Sequence, residues 1–125
     1  MQQIAMVFFG AGIGGVLRLL FGKYAAQFLG LAFPMGTLGV NVIGSFLIGI
    51  AAILLAKQGN NHHFIQYFVM TGVLGGFTTF STFSLDVVRL AEHGLFVQIG
   101  TYVIASVLLS ILAVLLGMAF AKNFV

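Results

Sequence analysis

The sequence predicts an all-α membrane protein in which residues 1–125 form a single domain of four transmembrane helices. Only 6% of the residues are charged and 61% are hydrophobic, and the mean hydropathy is +1.18. A soluble domain carries about 25% charged residues, and a disordered chain combines high charge with low hydrophobicity. A spanning helix needs about 20 mostly apolar residues. Four uncharged runs have roughly that length or more, at residues 1–17, 24–56, 58–85 and 93–121.

The first two helices are expected at residues 4–28 and 36–56. Gly10 and Gly14 of the first helix form a GxxxG pair, which lets the backbone of another helix approach closely. Pro34 is the only proline and lies in the short connection between the two helices. The continuous apolar runs exclude transmembrane strands, in which apolar and polar residues alternate.

The third helix, expected at residues 64–90, is predicted to be broken at mid-membrane. A polar loop at residues 57–63 (KQGNNHH) precedes it, and a fourth helix follows at residues 95–121. Residues 75–84 (GGFTTFSTFS) disfavour a continuous helix, because two glycines are followed by five Ser or Thr residues. Unwound backbone at this depth persists only inside protein or beside water, and it commonly forms ion sites. The alternative is that the glycines only allow tight packing, while each hydroxyl bonds a carbonyl of its own helix.

Polar residues at intervals of four form one stripe on the second helix and one on the fourth. The two stripes are Thr37, Asn41 and Ser45, and Tyr102, Ser106 and Ser110. Ser and Thr also join helices, but the amide of Asn41 has donors and an acceptor that lipid cannot satisfy. The stripes and the break together predict a polar path through an apolar bundle.

This path is suited to a small anion. It offers hydroxyl, amide and backbone N–H donors, and it lacks the carboxylates that proton relays and many cation filters use. Asp86 and Glu92 are expected near an interface instead. Phe80 and Phe83 lie inside the polar cluster, and the positive edges of their rings can solvate an anion weakly. Arg18 either extends to the lipid headgroups or attracts anions to the mouth of the path.

The basic residues are divided almost evenly between the two sides of the membrane. Lys57 and Lys122 fall on one side, and Arg18, Lys23 and Arg89 fall on the other. Lys and Arg set the orientation of a membrane protein by their excess on cytoplasmic loops. Either one or two residues fix a single orientation, or the chain inserts in both orientations, which would permit an antiparallel homodimer.

Composition and motifs exclude several classes of function. The net charge of +3 is spread too thinly for a nucleic-acid surface, and the absence of cysteine removes disulfides and thiolate chemistry. No nucleotide-binding loop, nucleophile elbow or HExxH motif is present, so no enzymatic activity is expected. His62 and His63 lack acidic neighbours and are expected to be solvated rather than metal-bound. No cleavable signal peptide is expected.

Three stretches resemble the Fluc/CrcB family of fluoride channels: residues 12–18 (GIGGVLR), 36–49 (GTLGVNVIGSFLIG) and 72–86 (GVLGGFTTFSTFSLD). The length and the four-helix arrangement also fit this family. The resemblance implies a passive, fluoride-selective channel of the bacterial inner membrane, which releases cytoplasmic fluoride and thereby protects the cell. It also implies a dual-topology, antiparallel homodimer with two pores.

The resemblance further implies roles for individual residues. A structural Na⁺ at the dimer interface would bind the backbone carbonyls of Gly75 and Thr78 from both subunits. Arg18 would lie in a vestibule. The fluoride path would be formed by Asn41, Phe80, Ser81, Thr82, Phe83, Tyr102, Ser106 and Ser110.

Two other functions are compatible with a small four-helix membrane protein. A multidrug-type, proton-coupled transporter needs a titratable acid at mid-membrane, and the first helix has none before Arg18. A non-transporting assembly subunit would use its glycine and serine residues only to pack helices. Fluoride efflux without a proton gradient would distinguish a channel from both.

Overall fold

Helices form most of the described part of the chain, which in this computed structural model comprises residues 1–57 and 62–124. Four spans are long and apolar enough to cross a membrane, and they contain 28, 23, 29 and 29 residues. No strand occurs within the described residues. The prediction of an all-α protein with four transmembrane helices is therefore confirmed. The polar loop predicted before the third helix lies mostly outside the described residues, at positions 58–61.

The ends of the four spans lie within three residues of the expected positions. α1 covers Gln2–Leu29 and is followed by Gly30, whose φ of 77° favours glycine. α2 covers Met35–Lys57. The last helix, α5, covers Phe96–Phe124 and follows a turn at Gly94, which has a φ of 70°. Both glycines lie beside short connections at the same end of the bundle, and their positive φ angles allow the chain to turn sharply there.

The third span is divided into helical pieces by a short extended segment. A π-helix covers Phe64–Leu74, α3 continues it over Gly75–Phe77, and α4 covers Phe80–Glu92. Thr78 and Thr79 between α3 and α4 are extended, with ψ angles of 159° and 120°. The predicted interruption of the third helix is confirmed as a bend, and the unwound residues are these two threonines.

Both glycines before the break are helical, and Gly76 packs closely against α1. A methyl group on Gly76 would lie 2.5 Å from the carbonyl oxygen of Ala11 in α1. One on Gly10 would lie 2.6 Å from the carbonyl oxygen of Phe68 in the π-helix. Small residues thus let α1 and the third span approach backbone to backbone, which is the contact expected of the GxxxG pair. The helix ends one residue after Gly76, at Phe77, and Asn41 of α2 binds the backbone of Thr79 beyond it.

A second glycine contact joins α2 to α5. Gly49 packs against the backbone of Val114, and Gly117 packs against the backbone of Phe46. This close crossing brings the polar stripes of the two helices to one side of the bundle, where residues of both line the same cavity.

Most large apolar side chains of the single chain point outward. The buried core cluster is small and consists of Leu38, Leu90 and Tyr102. Phe8 of α1 and Leu116 of α5, by contrast, are 71% and 63% exposed. Outer faces of this kind suit the hydrocarbon region of a bilayer, which solvates apolar side chains.

Candidate functional site

Two cavities meet at the break in the third span. The first has a volume of about 960 Å³ and opens where α1 and α4 end and α2 begins. The second has a volume of about 400 Å³ and lies between α2, the third span and α5. Thr79 lines both cavities. The break therefore lies between a wide cavity and a narrower one.

The first cavity has a mainly positive lining. Arg18, Lys23 and Arg89 contribute cations to it, and Asp86 contributes the only carboxylate among its lining residues. Three of the five Lys and Arg residues in the chain thus gather at one mouth. A cleft lined by one sign of charge raises the local concentration of small ions of the opposite sign. Arg18 lines this cavity, and its vestibule role stays a prediction.

Asp86 accepts hydrogen bonds from two hydroxyl groups at this cavity. Thr37 Oγ1 donates to Asp86 Oδ2 at 2.7 Å, and Tyr102 Oη donates to the same oxygen at 3.2 Å. Tyr102 is completely buried, and its ring centroid lies 5.1 Å from that of Phe83. Asp86 therefore ties α2, α4 and α5 together at a single point.

The second cavity contains hydroxyl groups and aromatic rings, and none of its lining side chains is charged. Ser106 lines it and is 8% exposed, yet its Oγ has no hydrogen-bond partner among residues 1–57 and 62–124. An unsatisfied buried hydroxyl costs about 1–3 kcal/mol. The cavity thus keeps a donor that a ligand could use. Its polar lining residues are Asn41, Ser45, Thr78, Thr79, Ser106 and Ser110.

Asn41 bridges the break with its side-chain amide. Its Oδ1 accepts from the backbone N–H of Thr79 at 2.8 Å, and its Nδ2 donates to the carbonyl oxygen of Thr79 at 3.0 Å. An amide nitrogen carries two hydrogens, so one Nδ2–H remains for another acceptor. Asn41 therefore satisfies the unwound backbone and still offers one donor at the second cavity, which it also lines.

Phe80 and Phe83 lie in the first turn of α4, directly after the break. Their ring centroids are 5.4 Å apart, the rings are tilted by 41°, and both rings line the second cavity. Phe80 is 78% exposed in the single chain, and Ser81 and Thr82 beside it are also exposed. The hydroxyls of Ser81 and Thr82 both lie within hydrogen-bond distance of Thr79 Oγ1, at 3.3 Å and 3.1 Å.

The break leaves backbone carbonyl groups without helical partners. The N–H of Thr79 would bond to the carbonyl of Gly75 in a continuous helix, but here it donates to Asn41. The carbonyl oxygen of Thr78 has a long contact of 3.5 Å with Nη1 of Arg18. Unwound carbonyl oxygens are ligands for Na⁺ in membrane proteins, so Gly75 and Thr78 fit the cation that the resemblance implies. No group of three His, Cys, Asp or Glu residues that could hold a metal ion occurs in the described chain.

The predicted site residues are distributed over both cavities. Those at the first are Arg18 and Thr82. Those at the second are Asn41, Gly75, Thr78, Phe80, Phe83, Ser106 and Ser110. Tyr102 lines neither cavity, since its hydroxyl is directed to Asp86, and Ser81 lies on the exposed face of α4.

The roles of two residues at the site, Asp86 and Thr79, are not predicted from the sequence. The sequence places Asp86 near an interface, and it does not distinguish Thr79 from the neighbouring hydroxyl residues. A signal for Thr79 exists in the pattern Thr-Phe-Ser-Thr, because Thr is a preferred N-cap residue that accepts from the N–H three positions later. No comparable local signal exists for Asp86, whose partner Thr37 lies 49 positions away in the chain.

Comparisons with known proteins give the family of the chain. The family model described as "CrcB-like protein, Camphor Resistance (CrcB)" matches residues 5–118. A protein of Agrobacterium fabrum named "Fluoride-specific ion channel FluC" is 47% identical over 123 residues, which is 98% of each chain. Proteins of the same name from Rhizobium johnstonii and Rhizobium etli are 49% and 46% identical, over 95% and 100% of each chain. With its four membrane-spanning helices and a match over nearly its whole length, the chain belongs to the CrcB family.

Proposed function

We propose that this protein is a passive, fluoride-selective channel that releases cytoplasmic fluoride through the bacterial plasma membrane and thereby confers fluoride resistance. The names of its relatives support this function, because the similarity extends over the whole chain. The observation that carries the proposal is the second cavity, which offers N–H and O–H donors and has no charged side chain in its lining. These groups are suited to the transport of a small anion rather than to a chemical reaction.

The second cavity can replace the water of a hydrated anion without trapping it. A conducting site must bind well enough for the ion to enter and weakly enough for it to leave. Ser106, Ser110 and the remaining Nδ2–H of Asn41 provide neutral donors for fluoride. The ring edges of Phe80 and Phe83 provide weaker contacts between those donors. Because none of these groups is charged, the ion can move on to the next one.

Anions enter this path from the basic cavity. Arg18, Lys23 and Arg89 raise the local concentration of fluoride at the mouth. Thr82 lines the basic cavity, whereas Ser81 and Tyr102 line neither cavity, and we assign them to the path from the family resemblance.

The functional unit is an antiparallel homodimer. Phe80, Ser81 and Thr82 are exposed on the single chain, and an exposed polar face on a membrane-spanning helix favours contact with more protein or with water. A second copy of the chain would cover this face and close the path on its open side. The near-even division of Lys and Arg between the two sides supports insertion in both orientations.

A structural Na⁺ would be held between the two copies by the carbonyls of Gly75 and Thr78. When bound, the ion supplies a fixed positive field beside the anion path. Arg18, which contacts the carbonyl of Thr78, adds a second positive charge from the chain itself. Replacement of Na⁺ by a large organic cation is expected to speed dissociation of the dimer in detergent. Equal dissociation rates in the two solutions would contradict this role for Na⁺.

Fluoride efflux from proteoliposomes tests the proposed function. Liposomes are loaded with potassium fluoride, valinomycin is added to carry potassium, and a fluoride electrode records release at equal pH on both sides. We expect rapid release of fluoride and retention of chloride under the same conditions. Efflux that requires a proton gradient would indicate a proton-coupled transporter, and no efflux would indicate an assembly subunit. Either result would refute the channel.

A further inference from the structure

Thr79 occupies the boundary between the two cavities and belongs to neither the predicted fluoride path nor the predicted cation site. It is 8% exposed, and it lines both cavities. Its backbone is extended, with φ −155° and ψ 120°, so it cannot join the helical hydrogen bonds of its neighbours. A change in its conformation would therefore alter both cavities at once.

The backbone of Thr79 is held by a single side chain. Asn41 binds both its N–H and its carbonyl oxygen, at 2.8 Å and 3.0 Å. An unpaired backbone group at this depth costs several kcal/mol, so the pair of bonds is what makes the extended conformation stable in a membrane. Two of the four hydrogen bonds that the Asn41 amide can make are thus made to the protein and not to an ion.

The side chain of Thr79 organises the first turn of α4. Its Oγ1 accepts from the backbone N–H of Thr82 at 3.2 Å and lies 3.1 Å from Oγ1 of Thr82 and 3.3 Å from Oγ of Ser81. This bond to the N–H three residues later is an N-cap, which defines where a helix begins. The start of α4 in turn sets the directions of Phe80 and Phe83.

We propose that Thr79 is a positioning residue for the anion path and that Asn41 acts largely through it. Asn41 holds the backbone of Thr79 extended, and the hydroxyl of Thr79 fixes the first turn of α4. Together they orient Phe80 and Phe83 and the hydroxyls of Ser81 and Thr82. This inference rests on the proposed channel function. It predicts that an Asn41 substitution lowers fluoride efflux partly by displacing the rings of Phe80 and Phe83, and not only by removing a contact with fluoride.

The variants Thr79→Val and Thr79→Ser separate the hydroxyl from the bulk of the side chain. Valine keeps the shape and removes the N-cap, whereas serine keeps the N-cap. We expect fluoride efflux to fall about fivefold or more in Thr79→Val and to remain within about twofold in Thr79→Ser. The larger change corresponds to the usual effect of an N-cap on helix stability. Thr101→Val is the matched control, because the hydroxyl of Thr101 is exposed and bonds only to Val97 of its own helix.

Amide hydrogen exchange by NMR tests the same contacts without reference to transport. The amide of Thr82 should lose protection in Thr79→Val and keep it in Thr79→Ser. The amide of Thr79 should lose protection in Asn41→Ser, because a serine side chain is too short to bridge the break. Unchanged protection in these variants would overturn the proposal even if fluoride efflux falls.

The two sets of measurements also keep this proposal distinct from the channel function. If the unmodified protein does not conduct fluoride, the channel function fails, and the exchange data still decide whether Asn41 and Thr79 hold the break. If the protein conducts and Thr79→Val conducts equally well, the positioning role of the Thr79 hydroxyl is refuted. If Thr79→Ser conducts fluoride and protects the Thr82 amide from exchange, as the unmodified protein does, the positioning role is supported.

Discussion

Replacement of Gly14 by alanine is expected to destabilise the protein, although alanine is the better helix former. Gly14 lies in α1 where that helix contacts the third span just before the break. An added methyl group would lie 2.8 Å from the nitrogen of Phe77 and 2.9 Å from the carbonyl carbon of Val73. It would be closer still to the carbonyl oxygen of Val73. All three are backbone atoms, so they cannot move aside as the end of a side chain can.

The expected magnitude follows from two opposing effects. Alanine in place of glycine stabilises a helix by about 1 kcal/mol. Overpacking costs about 1–3 kcal/mol, and the upper half of that range applies because carbon contacts normally lie about 3.5–4.0 Å apart. The net loss in the free energy of unfolding is therefore about 1–2 kcal/mol, or roughly a factor of 5–30 in the folding equilibrium. Fluoride efflux should fall as well, since the displaced third span contains the break.

Gly12→Ala is the matched control for Gly14→Ala. Gly12 lies in the same helix, and nothing is within 4 Å of the position where its methyl group would be. This variant should be neutral or stabilised by up to about 1 kcal/mol. Unfolding of both variants is measured by titration with a denaturing detergent, with fluoride efflux recorded in parallel. Equal shifts in the free energy of unfolding for the two variants would refute the close backbone contact.

Three further changes test the two cavities. Phe80→Ile combined with Phe83→Ile should abolish fluoride efflux while gel filtration still shows the dimer, and undiminished efflux would exclude a role for the ring edges. Ser106→Ala should leave the free energy of unfolding unchanged or raise it by up to about 1 kcal/mol, because it removes an unsatisfied buried hydroxyl, while efflux falls. A loss of stability would show that this hydroxyl has a structural partner. Arg89→Gln should lower efflux several-fold at about 0.01 M ionic strength and little at about 1 M, where charges are screened. Lys122→Gln, which lies outside the basic cavity, should have no such salt-dependent effect.

Hydropathy and local sequence patterns were sufficient to predict the helices and most of the polar residues around the second cavity. Four-residue spacing placed Asn41 and Ser45 on one stripe and Ser106 and Ser110 on another, and residues of both stripes line that cavity. Such patterns report which face of a helix a residue occupies, because the geometry of a helix is regular. They do not report which faces meet.

The amino-acid sequence by itself determined that this is a four-helix membrane protein with an interrupted third helix and an uncharged polar interior. Those properties follow from composition, run length and periodicity, which are local. Only the tertiary structure decided that the helix unwinds at Thr78 and Thr79, that Asn41 binds the backbone there, and that Asp86 accepts from Thr37. The bonds of Asn41 and Asp86 join residues 38 and 49 positions apart, so they depend on how the helices pack. Gly76 stayed helical for the same reason, since contact with α1 outweighed its low helix propensity.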